Sequence, residues 1–207
     1  WDLNQRELQA LPEILQSKPI LVYAETSTRC NLHCFMCRLS FPETTRRVRR
    51  HMSLKTFARL EPLLEPGSRL SLFGLGEPLM NPQFVEMLRI AKERRAFVGL
   101  NSNAMLLNEN IARAMVEFEL DLLMISFSGG SKETYERVIT GANYERVIAN
   151  LRRLNEIKRS AIGNRAQVGS SQPSALAAEH SEPRTQDTKQ DSGLAIERVK
   201  PVLELQY

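Results

Sequence analysis

The chain has 207 residues, of which 42% are hydrophobic, and this is enough apolar material for one domain with a sizeable core. Its net charge of +4 is a mild excess that does not by itself indicate a nucleic-acid-binding protein. The sequence has no apolar run of about 18 residues and no basic start before an apolar segment, so we expect a cytoplasmic protein without a membrane contact.

Residues 1–19 form a lead-in to the folded domain. Leu8, Leu11 and Ile14 recur at helical spacing, but Pro12 interrupts them. Because proline removes a backbone donor and clashes with the preceding turn, the pattern predicts a short helix or an irregular segment.

All three cysteines of the chain, Cys30, Cys34 and Cys37, follow a predicted first strand at residues 20–27. We call residues 30–37 the cysteine loop. Its C-x3-C-x2-C spacing allows one irregular loop to turn three thiolates inward, and the chain has no fourth cysteine. The pattern is compatible with a metal cluster that keeps one open position, with a zinc site completed by His33 or a distant residue, or with three unrelated buried thiols. Clustered reduced thiols are typical of the cytoplasm.

A dense basic run at residues 46–51 precedes a helix that Ser53 is predicted to cap. Such a run suits an acidic substrate, a phosphate or RNA. Arginine runs in loops are more often solvated surface, so RNA is only a possible partner.

Three further predicted strands, at residues 70–73, 96–100 and 122–127, are each followed by a polar turn and an amphipathic helix. This alternation predicts an α/β fold with a parallel sheet, whose strands end on one rim together with the cysteine loop. The last strand is continuously apolar, which is typical of burial on both faces. The three turns are the glycine turn (residues 74–78), the amide turn (residues 101–104) and the serine-glycine turn (residues 126–130).

The glycine turn and the amide turn are candidate ligand-binding segments. Gly74 and Gly76 permit close backbone approach to a ligand, and Glu77 beside them is a fixed acceptor. Taken alone, the glycines equally suit a plain strand-to-helix connection. The short amides and the hydroxyl of the second turn suit either an Asx-type turn or hydrogen bonds to a sugar.

The composition changes at about Ser160. Residues 164–193 contain no aromatic residue and are dominated by small and polar types, which bury too little apolar surface to fold. We therefore expect a core domain at residues 20–159 and a low-complexity, disordered tail at residues 160–207. A short apolar return at residues 199–205 is compatible with a docked strand or helix.

Taken together, these motifs resemble the radical S-adenosylmethionine (radical SAM) superfamily. The cysteine loop resembles its cluster signature, the glycine turn its Gly-Glu-Pro motif, and the amide turn the segment after its third strand. Residues 125–135 resemble the fourth-strand segment of the branch that includes peptide-modifying enzymes with SPASM extensions. The resemblance covers about residues 20–159 and implies a partial TIM-like (β/α) barrel with about four clear βα units.

The resemblance also implies the cofactors. Cys30, Cys34 and Cys37 would hold three irons of a [4Fe-4S] cluster, and S-adenosylmethionine would chelate the fourth iron through its amino and carboxylate groups. Reductive cleavage of S-adenosylmethionine would yield methionine and a 5′-deoxyadenosyl radical, which abstracts hydrogen from a peptide or another organic substrate. A flavodoxin-like or ferredoxin-like protein would donate the electron.

Family resemblance assigns roles to six further residues and none to a catalytic residue beyond the cluster. His33 is expected to be an exposed, variable position. The glycine turn, through Gly74, Gly76 and Glu77, would receive the methionine amino group, the backbone of Met36 the adenine, and Asn103 and Ser126 the ribose and the carboxylate.

The sequence departs from the family pattern in several places. Ser128 and Ala104 stand where many relatives have aspartate and glycine, and Met36 replaces an aromatic residue. Recognisable sequence stops near Arg159, whereas relatives continue to a fifth and sixth strand, and no later cysteine supplies an auxiliary cluster. A truncated, catalytically inactive cluster-binding relative is therefore the alternative interpretation.

Overall fold

The computed structural model describes residues 2–41, 48–169 and 202–206. Short 3-10 helices lie at Arg38–Ser40, Ala58–Leu63 and Pro78–Met80. The helices and strands of the described residues are, in chain order, α1 (Asp2–Ala10), β1 (Leu21–Tyr23), α2 (Leu54–Phe57), β2 (Arg69–Leu72), α3 (Phe84–Glu93), β3 (Phe97–Ser102), α4 (Glu109–Glu117), β4 (Leu122–Ser126), α5 (Lys132–Val138), α6 (Tyr144–Gly169) and β5 (Val202–Gln206).

The five strands form one parallel sheet in the order β1-β2-β3-β4-β5. Val22 pairs with Leu70, and Leu70 pairs in turn with Val98, so apolar residues of neighbouring strands lie side by side on one face. Parallel neighbours require a crossover, and helices supply it between β2, β3 and β4. The predicted α/β fold is therefore confirmed.

One face of the sheet packs against the helices and forms the core. Leu72, Leu100 and Leu123 are buried on this face. Because side chains alternate along a strand, these residues meet the buried stripes of the flanking helices. The helix residues that share this core include Phe84, Met87, Leu88 and Met115.

The opposite face of the sheet is left open by the residues that the structure describes. Tyr23 is 65% exposed, and a cavity of about 240 Å³ lies over this face between Tyr23 and Met124. The continuous apolar run at β4 suggested burial on both faces, but Leu122 and Met124 are only half-buried. That expectation is wrong because no helix covers this side of β4 in the part of the chain that the structure describes.

The first strand is shorter than predicted. Instead of extending over residues 20–27, β1 ends at Tyr23. Beyond it the chain pairs with the residues that precede α2: Met52 N–H donates to the Thr26 carbonyl at 2.8 Å, and Ser27 bridges His51 in antiparallel fashion. This change of partner bends the chain into the cysteine loop.

The predicted boundary at residue 160 falls inside α6. Leu154 and Ile157 pack against the core at helical spacing, and the helix continues to Gly169. Residues 202–206, within the predicted disordered tail, form a strand beside β4. A helix and a strand thus occupy the two ends of the predicted tail, the strand being one of the two forms expected for residues 199–205, and residues 170–201 lie outside the described residues.

The N-terminal lead-in begins with a short helix, which is one of the two forms expected from its sequence, the other being an irregular segment. It ends at Ala10, where Leu11 takes a left-handed conformation, and the Glu7 carboxylate accepts from the N–H groups of Gln16 and Ser17. The predicted cap at Ser53 is confirmed, since its hydroxyl accepts from Thr56 N–H at 3.2 Å. None of the helices in the described ranges is long and apolar enough to cross a membrane.

A buried ion pair links α3 to the start of β4. The Asp121 carboxylate accepts from the Lys92 ammonium and, at 2.8 Å, from Val98 N–H.

Asp121→Ala is expected to lower the free energy of unfolding by about 3–5 kcal/mol, because it leaves a buried charge unpaired. Lys18→Ala removes an exposed pair with Glu65 and is expected to cost less than about 1 kcal/mol. Urea titrations that gave similar losses for both variants would contradict this account.

Candidate iron-sulfur site

The cysteine loop presents three free, half-buried thiols. Leu32 N–H donates to the Cys30 sulfur and Leu39 N–H to the Cys37 sulfur, each at 3.4 Å. Main-chain donors of this kind stabilise negative charge on sulfur, as a metal-bound thiolate requires. Two of the three thiols therefore already have outer hydrogen-bond partners.

The loop is fastened to the end of α5 on both sides of Cys34. His33 N–H donates to the Thr140 carbonyl at 3.0 Å, and Phe35 N–H donates to the Val138 carbonyl at 3.1 Å. These bonds fix the backbone around the middle cysteine. The side chain of His33 is exposed, as expected.

The glycine turn packs directly on the start of the cysteine loop. A Cβ atom at Gly76 would lie 2.0 Å from the Ser27 carbonyl oxygen, so only glycine fits there. The next residue, Glu77, donates its N–H to the Arg29 carbonyl at 2.7 Å. Gly76 therefore serves a close approach between two protein segments, in addition to any approach to a ligand.

Glu25 holds the other end of the glycine turn. A Cβ at Gly74 would lie 2.3 Å from the Glu25 Cγ atom. The Glu25 carboxylate accepts from Leu75 N–H at 2.8 Å and from Gly76 N–H at 3.2 Å. The sequence interpretation missed Glu25, because an acidic residue after a strand does not by itself indicate a turn 50 residues away.

The Glu77 side chain turns into the protein and is only 3% exposed. Its carboxylate accepts from the Ser102 hydroxyl at 2.7 Å, from Asn103 N–H at 2.8 Å and from Leu79 N–H at 3.1 Å. Burial raises the pKa of this carboxyl, and the three donors partly oppose the rise. The carboxylate thus joins the glycine turn to the amide turn.

The amide turn reaches the cysteine loop through Asn103. Its amide nitrogen is 3.1 Å from the Asn31 side-chain oxygen and 3.8 Å from the Cys30 sulfur. Ser126 lies elsewhere on the rim, where its hydroxyl donates to the Asn101 side-chain oxygen at 3.1 Å.

Hydrogen bonds therefore connect Cys30, the glycine turn, Glu77 and Asn103, and Ser126 joins the amide turn through Asn101. Met36 is exposed on the cysteine loop. Of the basic run, Arg46 and Arg47 lie outside the described residues. Arg49 and Arg50 have exposed side chains, and their carbonyls accept from Arg29 and from Thr28.

The donor chemistry of the three thiols fits an iron-sulfur centre. Burial, followed by the charges of the other two cysteines, raises the pKa of Cys34 to about 11, and burial also raises the pKa of Cys30. These thiols are therefore neutral until a metal centre displaces their protons. In the described ranges, no three His, Cys, Asp or Glu side chains are gathered closely enough to hold a single metal ion, and a cluster does not require this because each thiolate ligates a different iron. Three soft sulfur donors without a fourth suit a cluster with one open position.

A parallel α/β sheet with a three-cysteine loop after its first strand is the architecture of a cluster-binding α/β protein. The chain belongs to the radical SAM superfamily, whose family model matches residues 24–164. This match confirms the predicted family and its two cofactors, S-adenosylmethionine and a [4Fe-4S] cluster.

Individual relatives are consistent with this family assignment. The chain is 30% identical over 122 residues to the tungsten-containing aldehyde ferredoxin oxidoreductase cofactor-modifying protein of Pyrococcus furiosus, with 58% of this chain and 33% of that protein covered. It is 30% identical over 138 residues to the PqqA peptide cyclase of Gluconobacter oxydans, with 65% of this chain and 38% of the relative covered. The chain thus spans well under half the length of these curated relatives.

Solved structures share the fold. SuiB of Streptococcus suis, bound to the precursor peptide SuiA, superposes with a TM-score of 0.59 at 19% identity. The alignment covers 75% of this chain and 34% of SuiB. SuiB bound to S-adenosylmethionine gives a TM-score of 0.58. At this level of identity, the likeness concerns the fold alone.

Glu77→Gln tests whether the buried carboxylate joins the two turns. An amide has one acceptor oxygen, whereas the donors from Leu79, Ser102 and Asn103 reach both carboxylate oxygens. The variant is expected to lose about 1–3 kcal/mol of unfolding free energy, because a buried donor is left without a partner. Glu117→Gln, on the exposed face of α4, is the control and should change stability by less than about 0.5 kcal/mol. Equal unfolding midpoints for the two variants in urea would show that the bridge is unimportant.

Proposed function

We propose that this chain is a radical SAM enzyme that cleaves S-adenosylmethionine reductively at a [4Fe-4S] cluster and acts on a peptide or another organic substrate. Cys30, Cys34 and Cys37 hold the cluster. The observation that carries the proposal is the hydrogen-bonded connection from the cysteine loop to the glycine turn and the amide turn at the rim of the sheet. It brings the cluster ligands next to the segments that resemble the family's S-adenosylmethionine contacts.

A [4Fe-4S] cluster held by Cys30, Cys34 and Cys37 would, when bound, supply the one-electron chemistry for reductive cleavage of S-adenosylmethionine. The protein's own part is to hold the cysteine ligands in place and to orient them. The α5 end fixes the backbone on both sides of Cys34, and Asn103 directs an N–H toward the Cys30 sulfur. Fixed ligands limit the reorganisation that accompanies electron transfer.

The glycine turn binds the methionine amino group through its main-chain carbonyls. The Glu77 carboxylate has three protein donors and is buried, so the accepting groups are the carbonyl oxygens of Gly74 to Glu77. The Met36 backbone contacts the adenine, and Asn103 and Ser126 lie near the ribose and the carboxylate. Each of these roles carries over from the family resemblance.

A peptide is the favoured class of substrate. The PqqA peptide cyclase relative and the SuiB structure with a precursor peptide support it. A flavodoxin-like or ferredoxin-like donor delivers the electron.

A second function is binding of the cluster without catalysis. The uncovered sheet face favours it, because a radical must be shielded from water to react selectively. The two functions differ in one product: both predict an iron-sulfur chromophore, and only the first predicts 5′-deoxyadenosine.

Anaerobic reconstitution with iron and sulfide, followed by reduction in the presence of S-adenosylmethionine, tests the proposal. We expect about four irons per chain and the release of 5′-deoxyadenosine, measured by chromatography. Replacing any one of Cys30, Cys34 or Cys37 by alanine should abolish product formation. His33→Ala, in the same loop with an exposed side chain, is the matched control and should keep both the cluster and the activity.

The alternatives give distinct results in this experiment. A full cluster without 5′-deoxyadenosine would reject the enzymatic proposal in favour of the binding function. One zinc per chain, lost in His33→Ala, would reject the cluster itself and support the zinc site that the cysteine spacing left open.

A further inference from the structure

A buried hydroxyl without a partner lies on α5, the helix whose end is hydrogen-bonded to the cysteine loop. Tyr135, on α5, is 0% exposed, and its hydroxyl makes no hydrogen bond to any described residue. Burying a hydroxyl without a partner is unfavourable, and phenylalanine would fill the same space without that cost. The position therefore raises the question of which group the hydroxyl serves.

The ring of Tyr135 is held firmly by aromatic neighbours. It stacks on Phe127 with centroids 4.6 Å apart and an interplanar angle of 23°, and it meets Tyr144 edge-on at 5.8 Å. These contacts restrict where the hydroxyl can point. A polar atom fixed in this way can complete a ligand environment without moving far.

The same helix end that carries Tyr135 holds Cys34. Val138, one helical turn further along α5, accepts from Phe35 N–H, and Thr140 accepts from His33 N–H. Cys34 is the one loop cysteine whose sulfur receives no main-chain N–H from the residue two positions on, in contrast to Cys30 and Cys37 in the described loop. Burial, and to a lesser extent the charge that Cys34 carries once its thiol is ionised, raises the pKa of Tyr135 to about 12, so its hydroxyl keeps a proton to donate.

We propose that the Tyr135 hydroxyl donates a hydrogen bond to the Cys34 sulfur once this sulfur ligates the cluster, and that Tyr135 is thereby a positioning residue that stabilises the reduced state. This inference rests on the proposed function. Each of the three ligating sulfurs would then have at least one donor: Leu32 N–H and the Asn103 amide for Cys30, Leu39 N–H for Cys37 and the tyrosine for Cys34. Hydrogen bonds to cluster sulfurs favour the electron-rich state and raise the reduction potential.

Tyr135→Phe removes the hydroxyl and keeps the stacked ring. In the reconstituted protein, a potentiometric titration monitored by EPR should show the ratio of reduced to oxidised cluster falling about tenfold at a fixed solution potential, which corresponds to a midpoint lower by about 59 mV. Tyr144→Phe is the matched control, because it alters a half-buried ring of the same aromatic group, and its midpoint should equal that of the unaltered protein.

The metal-free protein provides a second readout. If the hydroxyl has no partner there, Tyr135→Phe should melt at the same temperature as the unaltered chain or higher. A lower melting temperature would show that the hydroxyl is already bonded within the protein and would overturn the inference. Equal midpoint potentials for Tyr135→Phe and the unaltered chain, or equal shifts in both variants, would also overturn it.

Failure of this inference is distinct from failure of the proposed function. A chain that assembles no cluster rejects both. A chain that assembles a cluster and shows the shift in Tyr135→Phe, but releases no 5′-deoxyadenosine, rejects the activity and supports the role of Tyr135. A chain that is active with an unshifted variant rejects the role of Tyr135 alone.

Discussion

A carboxylate removed from water destabilises a protein unless donors compensate it, and Glu77 has three of them. Two come from the amide turn and one from its own turn, so the carboxylate ties the ends of β2 and β3 together. Its main-chain N–H extends the connection to Arg29, one residue before Cys30. The residue that joins the two turns is therefore also hydrogen-bonded, through its main chain, to the start of the cysteine loop. This contact between the glycine turn and the segment before the cysteine loop requires glycine at position 76, because any side chain there would clash with the Ser27 carbonyl oxygen.

The cysteine loop is held from a second direction by the fourth βα unit. Main-chain carbonyls at the end of α5 accept from the residues on both sides of Cys34, while the aromatic group of Phe127, Tyr135 and Tyr144 packs behind them. The loop thus lies between the first three strands, through Glu77 and Asn103, and the helix after the fourth. A site fastened in this way has little freedom to rearrange when a metal centre binds, which favours both affinity and a constant ligand geometry.

The sequence was sufficient where side-chain type and spacing carry the signal. The cysteine spacing, the glycine turn and the alternation of strands and helices predicted the family, the parallel sheet and the shared rim. Other features leave no such signal. Carbonyls of Val138 and Thr140 bind the loop through atoms that every residue has, and Glu25 acts across 50 residues. The apolar return at residues 199–205 suited a strand or a helix equally, and composition alone did not decide for the five-residue strand Val202–Gln206. The Glu77 carboxylate accepts from protein groups in the structure, and its predicted role toward a ligand stays a prediction.

The central claim is that three cysteines leave one iron open for S-adenosylmethionine. Electron-nuclear double resonance on the reduced, reconstituted protein tests it directly, using S-adenosylmethionine labelled with magnetic isotopes at the amino nitrogen and the carboxylate oxygens. The account predicts hyperfine coupling of both labelled groups to the cluster, since both coordinate the same iron. A reduced [4Fe-4S] spectrum that is identical with labelled and unlabelled S-adenosylmethionine would contradict the account, because the open position would then be closed or inaccessible.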